Sequence, residues 1–352
     1  MIHSESLTLQ WLNAQAKQMQ SQADLLERMV HALKLVEELS RAGLEFTFKG
    51  GTSLALHFAD LQRLSIDVDI EVRSELGYQS VEEALGRIVT VDSVFVGWEE
   101  ESRPGSTEHS RHFRVRYSPI RKGSGAISHV LLDVIFISSL NPFRVPVDVT
   151  NQILSVTTPY TQVYVPSIEA LLGEKLTAIA TLTTGVPLSK ELDMVKQVFD
   201  VHRLMPVAQD PMDVLTAFER TLEVQRECFN QNYNKNEVIA DICQLALAHY
   251  HDNNAVYHLT LKTATQSGVK SFRAYTARGV VFREERFRLT LLKAALYLTA
   301  TVNGRQYIPY DRTIHVAPPT LPDEYQGIKR LPKTERAEAA YYVHEILGNT
   351  SL

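Results

Sequence analysis

The sequence predicts an α/β amino-terminal domain with a small mixed sheet, followed by a mostly helical carboxy-terminal domain. Stretches of alternating apolar and polar residues, typical of strands, occur up to about residue 140 and are interspersed with helical patterns. Pro-containing segments between 141 and 166 interrupt both patterns. Beyond them apolar residues recur mainly at helical spacing. We therefore predict domains at 1–150 and 151–352.

Length and composition are those of a globular protein. The 352 residues are enough for two domains, and 44% are hydrophobic and 22% charged. No apolar run approaches the roughly 20 residues of a membrane-spanning helix, and the first residues lack the apolar core of a signal peptide. Cys228 and Cys243 are too few for a disulfide framework, so we expect a cytoplasmic protein with reduced cysteines and no membrane partner. A net charge of −5 excludes a basic nucleic-acid binder as a whole, but not a local basic surface.

The amino-terminal elements alternate between helices and strands. Apolar residues at helical spacing predict helix over 7–42. The stretch "LEFTFKGG" predicts a strand that leads into a glycine turn, and Thr52 or Ser53 is placed to cap the next helix. Strict alternation in "SIDVDIEV" predicts another strand. The remaining elements are a helix at "SVEEALGRIV" and strands at "SVFVGWEE", "RHFRVRYSP" and "HVLLDVIFIS".

The carboxy-terminal half is predicted to be helical. The stretches "SIEALLGEKLTAIATL" and "SKELDMVKQVFDVHRL" predict its first two helices, and amphipathic stretches continue between 211 and 300. The segment from about 303 is rich in Pro and Tyr, and we expect it to run over the surface before a last helix near 333–347.

Asp67 and Asp69 stand at alternate positions of the predicted strand, so their side chains are expected to point to the same side. Carboxylates that close repel each other unless a cation neutralises them. Glu71 shares their face and is more easily explained as a solvent-facing residue. Oxygen ligands in an incomplete protein cage are typical of Mg²⁺ completed by phosphates and water. We therefore predict a Mg²⁺ site, with Mn²⁺ as the alternative ion.

The "GGTS" turn, residues Gly50, Gly51, Thr52 and Ser53, complements the two carboxylates. Glycines let backbone amides approach a ligand closely, and a helix amino terminus favours anions. The two hydroxyl groups add hydrogen-bond donors at the same place. Taken singly, the features are also explained by a capped tight turn and by a solvent-facing acidic strand. Together they predict a site for metal-assisted phosphoryl transfer.

These motifs resemble those of a known family. A "GGTS" turn followed by Asp-Val-Asp resembles the signature of the nucleotidyltransferase (DNA polymerase β-like) superfamily, with a slightly longer gap between turn and carboxylates. With Arg63 and Ser65 before Asp67, the stretch is more specifically similar to the AbiEii/AbiGii and MenT toxins. Those are the toxin halves of bacterial toxin–antitoxin and abortive-infection pairs. The resemblance implies a nucleotidyltransferase-like amino-terminal domain and an NTP substrate held by the turn and by Ser65.

A third carboxylate is usual in two-metal phosphoryl transfer, and the superfamily takes it from a later strand of the same sheet. Asp133 is the one acid in the apolar stretch "HVLLDVIFI", and we expect it to share the metal and to help activate the acceptor hydroxyl. Asp148 in "VPVDV" is the competitor, but its nearby prolines predict an edge strand. The alternative for Asp133 is a buried acid paired with a nearby arginine.

The resemblance extends to the first two predicted helices of the second domain. In the AbiEii-like group a lysine in an "(A/G)EKL" helix is followed by a basic residue, an Asp, and a second Asp seven residues later. The matching residues are Lys175, Lys190, Asp193 and Asp200, although Lys190 stands three residues before Asp193. The resemblance implies that Lys175 and Lys190 contact the triphosphate, and that Asp193 orients Lys175 or contacts the nucleotide. Alternatively, Asp193 and Asp200 form a solvated acidic stripe beside Lys190 and Lys196.

The stretch "RHFRVRYSPIRKG" combines cationic and aromatic side chains. On a strand beside the carboxylates, these cations would suit an RNA backbone or a triphosphate. The alternative is a solvated basic strand edge. The cationic residues are Arg111, Arg114, Arg116, Arg121 and Lys122.

The resemblance implies a Mg²⁺-dependent toxin that transfers a nucleoside monophosphate from an NTP to RNA. The acceptor it implies is the 3′ end of tRNA, whose extension would block translation, and the partner it implies is a cognate antitoxin. Two alternatives stay open on the residues alone. One is an antibiotic-type nucleotidyltransferase with a small-molecule acceptor, and the other is a non-catalytic nucleotide-binding protein with the same fold.

Overall fold

The computed structural model describes residues 1–90, 93–121, 127–252, 256–277, 279–315 and 319–349. The chain divides into two compact units. The first consists of Met1–Ser167, Glu227–Asn230 and Ala274–Val280. The second consists of Ile168–Arg226, Gln231–Arg273 and Val281–Leu352.

The first unit contains a mixed sheet of seven strands in the order β3-β4-β5-β2-β1-β7-β6. Its strands are β1 (Thr47–Lys49), β2 (Val68–Arg73), β3 (Phe95–Glu100), β4 (Ser110–Tyr117), β5 (Ser128–Ile137), β6 (Arg144–Asp148) and β7 (Gln162–Pro166). Its helices are α1 (Leu9–Met19), α2 (Ala23–Arg41), α3 (Gly50–His57) and α4 (Gly77–Ile88). The pairs β2–β5 and β1–β7 are parallel, and the remaining neighbours are antiparallel. The predicted mixed sheet is therefore confirmed.

The sheet continues through the Pro-containing stretch in which the sequence shows no regular pattern. Strand β6 includes Pro146 and lies at the edge of the sheet, paired only on one side with β7. An edge strand tolerates proline because one row of its backbone groups has no strand partner to lose. Asp148, the last residue of β6, thus lies at the edge, as its neighbouring prolines predict.

The core follows the predicted alternation of strand residues. Val68, Ile70 and Val72 of β2 are fully buried, and Val134 and Leu132 of β5 are buried beside them. The apolar face of α2 is buried in the same core. Full burial of one such aliphatic side chain stabilises a fold by about 1.5–3 kcal/mol, so this face of the sheet is strongly specified. The polar residues between them are left on the other face.

Three local predictions differ from the structure. The helix predicted over 7–42 is broken at Gln20, which adopts the left-handed conformation with φ 45° and ends α1. Helix α3 begins at Gly50 with Lys49 as its cap residue, so Thr52 and Ser53 lie in its first turn and do not cap it. Strand β2 begins only at Val68, so Asp67 precedes it.

The chain after Ser167 is helical in the part that the structure describes. The helices are α5 (Ile168–Ala178), α6 (Glu191–Leu204), α7 (Pro211–Phe229), α8 (Lys235–Ala248), α9 (Val256–Phe272), α10 (Glu284–Val302) and α11 (Lys333–Asn349). Helix α8 begins with a reciprocal capping box between Asn234 and Glu237. Cys228 and Cys243 are buried and not bonded to each other. Within the described ranges, none of the helices has both the length and the apolar character needed to cross a membrane.

Candidate active site

A row of polar residues crosses the sheet in register. Lys49 of β1 pairs with Asp69 of β2, Asp69 pairs with Asp133 of β5, and Asp133 pairs with His112 of β4. Residues directly opposite one another on neighbouring strands lie about 4.8 Å apart and point to the same face. The residues on either side of Asp69, Val68 and Ile70, are buried in the core. The row therefore lies on the opposite face, and it brings Asp69 and Asp133 side by side.

The glycine turn packs directly on Asp69. Gly50 has φ +77°, a backbone conformation that favours glycine. A Cβ atom at this position would lie 2.0 Å from Asp69 Oδ2 and 2.8 Å from its Cγ. A Cβ atom at Gly51 would lie 2.3 Å from Arg63 Nη2 and 3.0 Å from Ser65 Oγ. The two glycines thus let the start of α3 approach the side chains that precede and begin β2.

The hydroxyl groups of the turn are used within the protein. Thr52 and Ser53 are fully buried. Thr52 Oγ1 donates a hydrogen bond to the Asp67 carbonyl oxygen at 2.5 Å, and Ser53 Oγ donates one to the Gly50 carbonyl oxygen at 2.9 Å. These bonds hold the turn against the segment before β2. Binding of a triphosphate by the two hydroxyls stays a prediction.

The Asp133 carboxylate is held by two cationic or polar side chains. Arg103 Nη1 lies 3.0 Å from Asp133 Oδ1 and 3.2 Å from Oδ2, and His112 Nδ1 lies 2.9 Å from Oδ1. Arg103 in turn donates to Glu101 Oε2 from Nε at 3.1 Å and from Nη2 at 3.0 Å. The other oxygen of Glu101 accepts a hydrogen bond from Arg114. The arginine pairing of the alternative is thus present, although the Asp133 side chain is partly exposed and not buried. Binding of a metal by Asp133 stays a prediction.

These contacts shift the acid–base equilibria of the cluster. The hydrogen bond from Arg103, supported by Arg114, lowers the pKa of the Glu101 carboxyl. Partial burial disfavours the charged guanidinium of Arg103, but the charges of Asp133 and Glu101 outweigh it and raise its pKa. Both shifts favour the charged forms of Glu101 and Arg103.

Lys49 and Glu71 form a second ion pair on the same face of the sheet. Lys49 Nζ lies 3.0 Å from Glu71 Oε1, and both side chains are largely buried. The expectation that Glu71 faces solvent is wrong, because β2 lies inside the sheet between β1 and β5.

The carboxylates of Asp67 and Asp69, near the turn, have the chemistry to bind a hard divalent cation, but no third metal ligand is grouped with them in the part of the chain that the structure describes. Within the described ranges, no three His, Cys, Asp or Glu side chains are grouped closely enough to hold a metal. Asp69 faces a turn in which glycine leaves space that any Cβ would fill, and Asp67 lies two residues before it. Their oxygens are the donors that Mg²⁺ prefers. Asp133 is also an oxygen donor, but both of its oxygens already accept hydrogen bonds from Arg103.

The residues predicted in the second domain form a buried group around Lys175. Lys175 Nζ donates to Gln197 Oε1 at 2.8 Å and lies 3.4 Å from Asp200 Oδ2. Lys175 and Asp200 are both buried. Asp193 is about half exposed and lies 3.0 Å from Lys196, in the manner of the acidic stripe considered as the alternative. Lys190 is exposed and directly precedes α6, and its side chain makes no capping hydrogen bond.

The residue that orients Lys175 is therefore Asp200, and the expectation that Asp193 does so is wrong. Gln197 and Asp200 are one helical turn apart on α6, and Lys175 contacts the helix at their level. Asp193 lies one turn further toward the start of α6, where Lys196 neutralises it. Roles of Lys175, Lys190 and Asp193 toward a nucleotide stay predictions.

The predicted basic stretch is largely ion-paired. Arg114 pairs with Glu101, and Arg111 Nε lies 3.4 Å from Glu100 Oε1. Arg111 also lies over the Tyr78 ring, 5.4 Å from its centroid. Strand β4 lies inside the sheet between β3 and β5, so the alternative of a basic strand edge is wrong.

Two other arginines of the stretch differ in their partners. Arg121 Nε lies 2.8 Å from Asp24 Oδ1. Arg116 is exposed, and among the described residues no acidic side chain forms an ion pair with it. Lys122 lies outside the described residues. Contact of these residues with RNA stays a prediction.

Sequence reasoning missed Glu101, Arg103 and His112 as members of the site. His112 could have been found, because alternation on β4 places it on the polar face opposite the buried Phe113. Glu101 and Arg103 lie in the irregular segment between β3 and β4, where no periodicity indicates which way a side chain points.

Comparison with known proteins identifies relatives of the chain. The family model described as the nucleotidyl transferase AbiEii toxin of a Type IV toxin–antitoxin system matches residues 34–288. No curated protein matches the sequence. The crystal structure of JHP933 from Helicobacter pylori is 14% identical, with a TM-score of 0.32, covering 76% of this chain and 97% of its own. An antigenic nucleotidyltransferase-like protein from Paracoccidioides brasiliensis is 16% identical, with a TM-score of 0.35, covering 60% of this chain and 96% of its own.

Proposed function

The chain belongs to the AbiEii nucleotidyl transferase toxin family of Type IV toxin–antitoxin systems, and we propose that it is a Mg²⁺-dependent enzyme that transfers a nucleoside monophosphate from an NTP to RNA. Family membership confirms the resemblance predicted from the glycine turn and the Asp-Val-Asp motif. The proposed acceptor is the 3′ end of tRNA, whose extension would block translation. The toxin–antitoxin family implies an antitoxin as the partner protein.

The observation that carries this proposal is the contact between Gly50 and Asp69. The Asp69 carboxylate, the proposed metal ligand, and a helix amino terminus suited to phosphate lie at the same point, because glycine leaves no side chain between them. Phosphoryl transfer needs this proximity, since the ion and the phosphate oxygens must share charge during the reaction.

The proposed reaction is an in-line substitution at the α-phosphorus of the NTP. The acceptor hydroxyl oxygen forms a bond to the α-phosphorus, the bond from that phosphorus to the oxygen bridging to the β-phosphate breaks, and pyrophosphate leaves. The hydroxyl proton passes to solvent or to a nearby base. Mg²⁺ held by Asp67 and Asp69 would neutralise charge on the phosphate oxygens. The proposed contact of Lys175 with the triphosphate rests on the resemblance alone.

The test is incubation of the protein with Mg²⁺, total bacterial tRNA and each α-labelled NTP in turn. Asp69→Ala removes the carboxylate at the turn, and Asp323→Ala, at an exposed position far along the chain, is the matched control. Label transfer by wild type and Asp323→Ala, but not by Asp69→Ala, would support the proposal and identify the nucleotide. Absence of transfer, together with absence of Mg²⁺–NTP binding by the wild type, would refute it in favour of a non-catalytic role.

A small hydroxyl-bearing substrate is the second candidate, and the charge balance of β4 favours it. Arg111 and Arg114 are each paired with a glutamate, so this strand offers RNA less free positive charge than its composition predicts. A parallel reaction with an aminoglycoside as the acceptor separates the two candidates. Label on the aminoglycoside but not on tRNA would assign the second.

A further inference from the structure

We propose that the Arg103 guanidinium takes the place of a second divalent cation at Asp133, so that the site works with one divalent ion, held by Asp67 and Asp69. This inference rests on the proposed function, because it specifies which charges serve the transfer. It departs from the expectation that Asp133 is a metal ligand.

The first argument is the saturation of the Asp133 carboxylate. Each of its oxygens accepts a hydrogen bond from Arg103 Nη1, at 3.0 and 3.2 Å, and Oδ1 accepts a further one from His112 Nδ1 at 2.9 Å. An imidazole nitrogen that close to a carboxylate carries the proton, so its 3.4 Å approach to Arg103 is not a hydrogen bond. A metal ion could bind Asp133 only by displacing these charge-assisted bonds.

The second argument is charge. Asp133 and Glu101 carry two negative charges, and Arg103 and Arg114, which contact them, carry two positive charges. The cluster is thus neutral without any metal. A divalent ion bound to Asp133 would lie within a few ångströms of the Arg103 guanidinium, and like charges that close repel strongly in a partly buried site.

The third argument is that Arg103 is held in place and keeps a free donor. Glu101 binds its Nε and Nη2 atoms from the side opposite Asp133, which fixes the plane of the guanidinium. A guanidinium carries five N–H groups, and the four contacts to Glu101 and Asp133 use at most four of them. At least one N–H remains for a phosphate oxygen. Glu101 and His112 are positioning residues in this arrangement.

The test counts metal ions directly. The protein is dialysed against Mn²⁺ and an NTP analogue with a methylene bridge between the α- and β-phosphorus atoms, which cannot be transferred. Bound Mn²⁺ per protein is measured, and the electron paramagnetic resonance spectrum shows whether two ions lie close enough to couple. The variants are Asp69→Ala, Asp133→Asn and Arg103→Gln, with Arg87→Gln as the control for loss of an exposed arginine from the same unit.

The proposal predicts one uncoupled Mn²⁺ in the wild type and in Arg87→Gln, and none in Asp69→Ala. Asp133→Asn keeps the single ion with its dissociation constant within about threefold. Arg103→Gln exposes Asp133 and gains a second, coupled ion. Circular dichroism is used to check that each variant folds.

Two results would overturn the proposal, and they differ in what they leave standing. Two coupled ions in the wild type, with one lost in Asp133→Asn, would overturn the role of Arg103 and leave the proposed nucleotidyl transfer intact. Failure of the wild type to bind either Mn²⁺ or the analogue would overturn both. The wild-type count alone decides if a variant does not fold.

Discussion

Replacing Gly50 by alanine should abolish nucleotidyl transfer while the protein still folds. Gly50 combines a left-handed backbone, φ +77°, with close packing against the Asp69 carboxylate. Any other residue at position 50 would therefore have to adopt the unfavourable left-handed backbone, and its Cβ would also collide with the Asp69 side chain. Gly43 provides a matched control, because its φ is +84° and a Cβ there would have no atom within 4 Å.

The cost of the left-handed backbone and the effect of the contact with Asp69 can be estimated separately. A left-handed alanine costs roughly 1–2 kcal/mol relative to glycine, and both variants incur this cost. It corresponds to a fall in Tm of about 2–8 °C for a unit of this size. In Gly50→Ala the methyl group would lie 2.0 Å from Asp69 Oδ2, 2.8 Å from Cγ and 3.1 Å from Cβ. Rotation of the carboxylate cannot relieve all three contacts, so Asp69 must move.

Displacement of a catalytic group by about 1 Å commonly lowers a rate by about 100-fold. We therefore expect Gly50→Ala to lose at least this factor in label transfer and to lose Mn²⁺ affinity, while Gly43→Ala retains both. Thermal unfolding and the transfer assay, run on the same preparations, separate the two effects. Wild-type transfer by a folded Gly50→Ala protein would refute the placement of the site, as would an equal loss in Gly43→Ala.

Three further predictions concern stability and RNA binding. Lys175→Met removes the ammonium group from a buried ion pair and should cost about 3–5 kcal/mol in urea unfolding. Asp193→Asn, at an exposed ion pair, should cost less than about 1 kcal/mol, and equal losses would contradict the assignment. Burial lowers the pKa of His31 from 6.5 to about 4, so the unfolded chain takes up this proton first as pH falls. The contribution of this group to the free energy of unfolding is then complete above pH 6.5 and decreases toward pH 4, by roughly 2 kcal/mol at pH 5. His31→Gln should flatten the dependence of Tm on pH, and an unchanged slope would argue against this role of His31. Arg116→Gln should weaken RNA binding in filter-binding assays and reduce the slope of log K against log salt concentration by about one. Arg121 is ion-paired, so Arg121→Gln should do neither. Identical behaviour of the two variants would count against this face as an RNA contact.

The strands that carry the site were predictable because their signal is local. Alternation with a period of two identifies β2, β4 and β5 without knowledge of their neighbours, and it separates the buried Phe113 and Val134 from the polar residues between them. Of strand β6 only the edge position was predicted, from the prolines near Asp148, because Pro146 removes the regular strand pattern while costing no ladder bond at the edge.

Register explains why the site could be predicted only in part. Asp133 stands out as the single acid of an apolar stretch, but its position directly beside Asp69 depends on a parallel pairing between strands that lie far apart in sequence. The prediction that Asp193 orients Lys175 was wrong for a similar reason. Asp193 and Asp200 share one face of α6, and only the level at which α5 contacts that helix distinguishes them.

The two halves of the site are therefore specified in different ways. Its carboxylates Asp69 and Asp133 lie on inner strands, where pairing on both sides fixes their positions. Its counter-charge Arg103 comes from an irregular segment that no ladder constrains. A substitution in that segment can thus change how many cations the carboxylates require without moving the carboxylates themselves. The motif that runs from the glycine turn to Asp69 contains neither Asp133 nor Arg103, so this motif does not determine how many metal ions the site holds. The residue that decides this number is the one that lies against Asp133.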